Sequence, residues 1–261
     1  MDKDVAVEIA KTLAQSSRER GVVLRVVGAI AFVMHCPSFC RLLEQMQRPI
    51  TDVDLVGYAR QEKQILAVLR DLGYQFEDFR EMMRAGLESN RRMFRDPRHD
   101  TKVDVFLDRM EFCHTIDLRD RLEIDFPTIS VSDLLLEKMQ IVEINEKDIK
   151  DTIVLLREHG IGDVDAEAVN GGYVGGLLSD DWGFYYTVTT NLRKVRDFLP
   201  KYEMLSIEDR NDVALKVQRL LQSIEDGPKS LKWKMRAKVG TKRIWYQQVE
   251  EIEPEEPMFK F

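Results

Sequence analysis

Two aspartates two positions apart, in Arg48-Pro-Ile-Thr-Asp52-Val-Asp54-Leu55, carry the strongest chemical signal in this chain. They interrupt a β-branched, apolar run (Ile50, Val53, Leu55, Val56, Tyr58) in which aspartate is a disfavoured residue. In a strand, alternate side chains share a face, so Val53 and Leu55 are expected to enter a core while Asp52 and Asp54 emerge together on the other side. Two carboxylates on one face repel unless a metal ion, a proton or a basic group sits beside them, and hard Mg²⁺ prefers such oxygen ligands.

The elements around this pair follow from periodicity. Residues 3–20 read as an amphipathic helix stopped by Gly21, Val22–Val27 as a short buried strand ending at Gly28-Ala29, and a second helix runs from about Ile30, broken near Cys36-Pro37-Ser38. The Asp-bearing strand (50–58) precedes a helix over 60–72 closed by Gly73, and the arginine-rich stretch 74–100 reads as strand fragments and loops. Lys102–Leu107 alternates strictly, with Val103, Val105 and Leu107 on one face and Lys102, Asp104 and Phe106 on the other. A strand-like stretch follows at Ile124–Ile129. Ser132 is expected to cap a helix carrying Lys138 among leucines, and Asn145 one in which Asp148 and Asp151 share a side.

Asn170–Gly176 reads as a glycine-rich loop or hinge, and helices are expected over 191–202, 207–224 and 229–239. The last carries lysines and arginines with Trp233, Trp245 and Tyr246 nearby, a combination that can grip a phosphate backbone or serve as a docking stripe. The tail from Glu250 is acidic and expected to be loose.

Several function classes fall away. The 44% hydrophobic and 33% charged composition of 261 residues supports folded domains. A net charge of −7 disfavours coating nucleic acid by bulk electrostatics. No apolar run approaches a membrane span and the first residues are acidic, so a cytoplasmic protein without a membrane partner is expected. Cys36, Cys40 and Cys113 lack a metal-ligand spacing and suggest no disulfide-linked partner; His35, His99, His114 and His159 are scattered without a zinc-hydrolase motif. There is no Gly-x-Ser-x-Gly, Walker A loop or Gly-x-Gly-x-x-Gly.

Taken in order, Gly28-Ala29, Arg48-Pro-Ile-Thr51-Asp52-Val-Asp54-Leu, Lys102-Val-Asp104-Val-Phe, and Lys138 followed by Lys147-Asp148-Ile-Lys-Asp151 resemble the nucleotidyltransferase superfamily (the polymerase-β-like fold). Within it, the similarity is to the small prokaryotic branch that includes AbiEii-type toxins. The resemblance spans about residues 20–160. It implies an α+β fold with an N-terminal nucleotidyltransferase-like mixed β-sheet flanked by helices (1–160); beyond it, the residue pattern itself adds a mostly helical part (161–249) and an acidic tail (250–261). It further implies a Mg²⁺ (or Mn²⁺) site at Asp52, Asp54 and Asp104, nucleotide contacts from Gly28, Ala29, Arg48, Thr51 and Lys138, and accessory roles for Asp148 and Asp151. The implied activity moves a nucleoside monophosphate from an NTP such as ATP to a hydroxyl on RNA (tRNA), protein or a small molecule, as in a toxin with a cognate antitoxin. Ala29 stands where the family usually has Gly or Ser, and Cys36–Gln47 lengthens the interval to Asp52. The alternative is a nucleotide-sensing or protein-binding module that keeps the fold without the chemistry.

Overall fold

The computed structural model describes residues 2–77 and 90–248. The expectations for 78–89, including Arg80 and Arg84, and for the acidic tail lie outside the described residues.

A five-stranded mixed sheet, in the order β1-β2-β5-β4-β3, forms the centre. Its strands are β1 (Leu24–Val27), β2 (Val53–Gly57), β3 (Gln75–Phe76), β4 (Arg91–Asp96) and β5 (Thr101–Leu107). β2 and β5 run parallel; the other pairs are antiparallel. Helices α1 (Lys3–Glu19), α2 (Gly28–His35), α3 (Cys40–Gln45) and α4 (Glu62–Asp71) connect or flank these strands. Val53, Leu55, Val103 and Val105 are fully buried on one face, where Gly57 abuts Ile65 of α4. The other face of β5 is largely covered too, with Asp104 and Phe106 buried and only Lys102 exposed.

After the small hairpin β6 (Arg109–Glu111) and β7 (Thr115–Asp117) come α5 (Val131–Met139) and α6 (Glu146–Glu158). A short parallel pair, β8 (Gly160–Gly162) and β9 (Ala168–Asn170), leads to α7 (Gly171–Leu178), α8 (Trp182–Phe198), α9 (Ile207–Asp226) and α10 (Leu231–Val239). One hydrophobic core runs without break from Ala6 of α1 to Ile224 of α9.

Four local expectations need correction. The Asp-bearing strand begins at Val53, so Asp52 precedes the pleat that holds Asp54. Ile124–Ile129 is not a strand; only Thr128 bridges to Val26, next to a proline that has no N–H to donate. The cap of α5 is Ser130, whose side chain accepts from the Asp133 N–H, while Ser132 lies inside the helix and donates to Asp165. The glycine-rich 170–176 stretch opens helix α7. Gly171 and Gly175, one turn apart, lie against Ser223 of α9, where an added Cβ would come within 3.2 Å of its Oγ and 3.1 Å of its carbonyl oxygen respectively. Asn145 caps α6 as expected, accepting from the Asp148 N–H.

The basic aromatic segment is docked. Trp233 packs edge-on against Tyr185, Trp245 against Tyr186, and the Trp245 indole donates to Thr187. The Arg236 guanidinium donates to the carbonyls of Gly240 and Arg243. The two tryptophans therefore serve packing on α8, and α10 itself has no buried residue.

Candidate active site

Sheet register builds the centre of the site. Asp54 of β2 lies directly opposite Asp104 of β5, and Val27, the last residue of β1, lies opposite Asp54 from the other side. Directly paired residues share a face, so the two carboxylates stand side by side. Arg91 of β4 pairs with Phe106, two positions from Asp104 on that same face, and its guanidinium donates to Asp104 Oδ2 and stacks over the Phe106 ring.

The chain turns from β1 into α2 at Gly28, with φ at +69°, a region that favours glycine. A Cβ here would also stand 2.6 Å from Asp54 Oδ2. Position 28 thus requires glycine twice over, for backbone conformation and for the carboxylate that it abuts. Its N–H donates to Glu137 Oε2 at 3.0 Å, which places a carboxylate at the positive end of α2.

Glu137 and Lys138 come from α5, whose residues Val131–Met139 are all buried. Lys138 Nζ lies 3.1 Å from Glu137, 3.4 Å from Asp148 and 3.7 Å from Asp151. These neighbours outweigh burial and hold the ammonium charged well above the ordinary lysine range. Lys138 therefore does not extend its amine to bulk solvent, as an isolated lysine in a buried helix would. Asp148 and Asp151 turn inward rather than forming a solvated face with Lys147 and Lys150; Lys150 pairs with Glu146 instead. Asp151, only 1% exposed, receives two bonds of 2.8 Å from Arg48.

Six carboxylates (Asp52, Asp54, Asp104, Glu137, Asp148, Asp151) thus gather around three cations, Arg48, Arg91 and Lys138. Burial first, then the Asp104 and Glu137 charges, push the Asp54 carboxyl up to about 7. Asp52 is near enough for its charge to act on both Asp54 and Arg91. Thr51 is exposed and donates to Asp52 at 3.1 Å.

Asp54, Arg91, Glu137, Lys138 and Asp148 line a cleft of about 760 Å³ together with the apolar Phe106, Met110, Phe112, Ile141 and Val142, with Tyr246, and with the polar Glu143, Asn145 and Gln248. Ala29 and Arg48 do not line it; they border a separate small cavity beside Asp151. Of the expected nucleotide contacts, only Lys138 lines the cleft, with Gly28 directly behind Asp54.

The donor set suits a hard divalent cation. Asp104 Oδ1 is buried with no hydrogen-bond partner among the described residues, and Asp54 sits beside it carrying a charge that its surroundings disfavour.

Two participants were missed in the sequence. Glu137 left a signal, since adjacent charges inside Leu134-Leu-Leu-Glu-Lys-Met139 are out of place in a helix that is otherwise apolar all round. Arg91 left none, because register alone selects it from its neighbouring arginines. Comparison with protein-family models and with curated proteins finds no significant match, so the chemistry of this site has to be read from its own geometry.

Proposed function

We propose that the protein is a Mg²⁺-dependent nucleotidyltransferase that moves a nucleoside monophosphate from an NTP to an acceptor hydroxyl, releasing pyrophosphate. The observation that carries this reading is the pairing of Asp54 with Asp104 in adjacent parallel strands, with the Cβ-free backbone of Gly28 against Asp54. In this reading the sheet and its helices form a nucleotidyltransferase-like domain. The cleft volume falls within the range of about 300–1,000 Å³ usual for small-ligand sites, and its apolar side chains suit a base while Lys138 and Arg91, which also line it, would meet the phosphates.

Asp52, Asp54 and Asp104 are the residues that would hold Mg²⁺ or Mn²⁺. When bound, such an ion supplies positive charge to the attacking and leaving oxygens of an in-line displacement. The protein's own groups do the remainder. Asp104, whose Oδ2 holds Arg91 and whose Oδ1 is buried without a partner among the described residues, would have to turn Oδ1 towards the cleft to orient the acceptor hydroxyl and take its proton as the oxygen bonds to the α-phosphorus and the bond to the β-phosphate oxygen breaks. Lys138 and Arg91 offset charge on the departing pyrophosphate. A toxin role, with tRNA or a protein side chain as acceptor, is compatible with this step; growth arrest that depends on Asp52 tests it.

Incubation with each α-labelled NTP, Mg²⁺ and a mixture of cellular RNA and protein tests the activity and reports donor and acceptor together. Label transfer is expected from wild type and not from Asp54→Ala; full transfer by that variant refutes the proposal. A second reading, a nucleotide-sensing module without chemistry, draws on two contacts: Glu137 engages the Gly28 N–H and Arg91 engages Asp104. NTP binding without label transfer distinguishes it.

A further inference from the structure

Two histidines 124 residues apart in sequence meet at the far end of α2 from Gly28. His35 is the last residue of α2, and His159 is the C-cap of α6; both are buried, with ring centroids 5.7 Å apart. Around His35 Nε2 lie the Ile129 carbonyl at 3.1 Å, Thr128 Oγ1 at 2.6 Å and an Asp125 carboxylate oxygen at 3.5 Å, a set of acceptors that calls for a hydrogen on that nitrogen. His159 Nε2 lies 2.9 Å from the carbonyl of His35, which likewise takes a hydrogen.

With Nε2–H placed on both rings, both Nδ1 atoms present lone pairs, and both face one carboxylate oxygen. Glu167 Oε2 lies 3.7 Å from His35 Nδ1 and 3.7 Å from His159 Nδ1. The Glu167 carbonyl oxygen is 2.9 Å from His159 Nδ1 as well. A neutral imidazole has one N–H, so no neutral form of His159 satisfies carbonyls at both of its nitrogens. These converging acceptors are met either by a hydrogen on His159 Nδ1 towards the Glu167 carbonyl or by a metal ion among the three groups, and metal binding is what separates the two.

We propose that His35 Nδ1, His159 Nδ1 and Glu167 Oε2 form a binding site for a late first-row transition metal ion of the Zn²⁺ class. Histidines that ligate a metal usually donate their other ring N–H to a carbonyl or carboxylate, which is the arrangement around both Nε2 atoms here. Tetrahedral zinc with bonds of about 2.0–2.1 Å spaces its ligands about 3.3 Å apart; the two Glu167–histidine pairs stand at 3.7 Å, and all three ligand atoms lie within 4.8 Å of one another, so closure takes side-chain shifts and no backbone rearrangement of the helices. The site opens on a cavity of about 470 Å³, which leaves room for water as the fourth ligand. Two imidazoles and one carboxylate favour Zn²⁺ or Co²⁺ over Mg²⁺, unlike the all-oxygen set at Asp54. A bound ion ties the end of α2 to α6 and to the residue before β9. It thereby steadies the helix that starts at Gly28 and the one that carries Asp148 and Asp151, whatever chemistry the cleft performs.

The test uses the full chain, stripped with chelator and then kept in saturating Mg²⁺ so that the carboxylate cleft does not compete. One equivalent of Zn²⁺ should bind, and Co²⁺ should give a visible band of tetrahedral intensity that Zn²⁺ abolishes. Glu167, with a side chain 70% exposed, can be replaced without disturbing the core. Glu167→Ala should weaken Zn²⁺ binding tenfold or more and alter the Co²⁺ band, while Asp54→Asn leaves both unchanged. Absence of stoichiometric Zn²⁺ binding overturns the proposal, as does binding that Glu167→Ala leaves intact or that Asp54→Asn removes.

Discussion

Replacing Asp54 with asparagine should make the apoprotein more stable at neutral and alkaline pH, although Asp54 lies at the heart of the cleft. Its carboxyl is raised from the ordinary 3.8 to about 7, so between these values the folded protein holds a proton that the unfolded chain has released. Stability follows the excess of protons bound by the unfolded state, here negative, and so it falls as pH rises through that window. The favourable contribution is fully present below pH 3.8 and lost above about 7. About three units correspond to roughly 4 kcal/mol as an upper limit, and because Asp54 keeps part of its surface open to the cleft, ~2 kcal/mol is the expected size. With a urea dependence of roughly 3 kcal/mol per molar for a chain of this length, Asp54→Asn should raise the unfolding midpoint by somewhat under 1 M at pH 8 in EDTA. The gain should shrink towards zero near pH 4. Added Mg²⁺ should stabilise wild type and not the variant. A variant less stable than wild type at pH 8, or a difference that does not change with pH, would refute the claim that Asp54 is ionised at a cost.

Two further substitutions probe the scaffold of the site. Gly28→Ala should destabilise by at least 1–2 kcal/mol, the approximate cost of a left-handed backbone for an alanine, with a further loss from the 2.6 Å contact with Asp54. Gly21→Ala, at φ +70° with nothing within 4 Å, carries the backbone cost alone, so equal urea midpoints for the two variants would exclude the Asp54 contact. Arg48→Ala strips Asp151 of its bidentate partner and leaves a buried carboxylate facing only Lys138, an expected loss of about 3 kcal/mol. The paired change Arg48→Met with Asp151→Leu should recover most of that loss in the same denaturation assay.

The aspartate motif, the alternation of β5 and the glycine turn were legible because each depends on local periodicity or on one backbone angle. What lay beyond reach depends on pairing between segments. Asp54 and Asp104 could both be assigned to strands, but their direct opposition is a fact of register between chain segments about 50 residues apart. Arg48 looked like a phosphate contact until Asp151, from a helix 103 residues later, claimed both arms of its guanidinium. Local signals also competed. Four glycines in 170–176 speak for a loop, yet two of them let α7 approach α9 more closely than side chains would permit, and tertiary packing prevailed. Ser132 reads as a cap from its local sequence alone; Asp165, 33 residues further on, accepts from its hydroxyl inside the helix, and Ser130 caps instead.

The partners of Lys138 bear on how a nucleotide could enter. Under the proposed function this lysine would offset phosphate charge, but its ammonium already lies among Glu137, Asp148 and Asp151, and Arg91 is committed to Asp104. A triphosphate approaching this cleft meets more negative than positive charge. The balance shifts only when cations join the carboxylates, and Glu137 is the group best placed to yield, since one of its oxygens holds the Gly28 N–H and the other holds Lys138. Release of Glu137 would free a backbone donor at a helix N-terminus and a lysine together, the two groups suited to a phosphate. Under the proposed function, NTP binding should therefore require a divalent cation, and Glu137→Gln, which removes the competing charge, should relax that requirement. Titration of a fluorescent NTP analogue in EDTA and in Mg²⁺ checks both statements; tight binding to wild type in EDTA would show that Lys138 and Arg91 are free to serve the phosphates without exchange of partners.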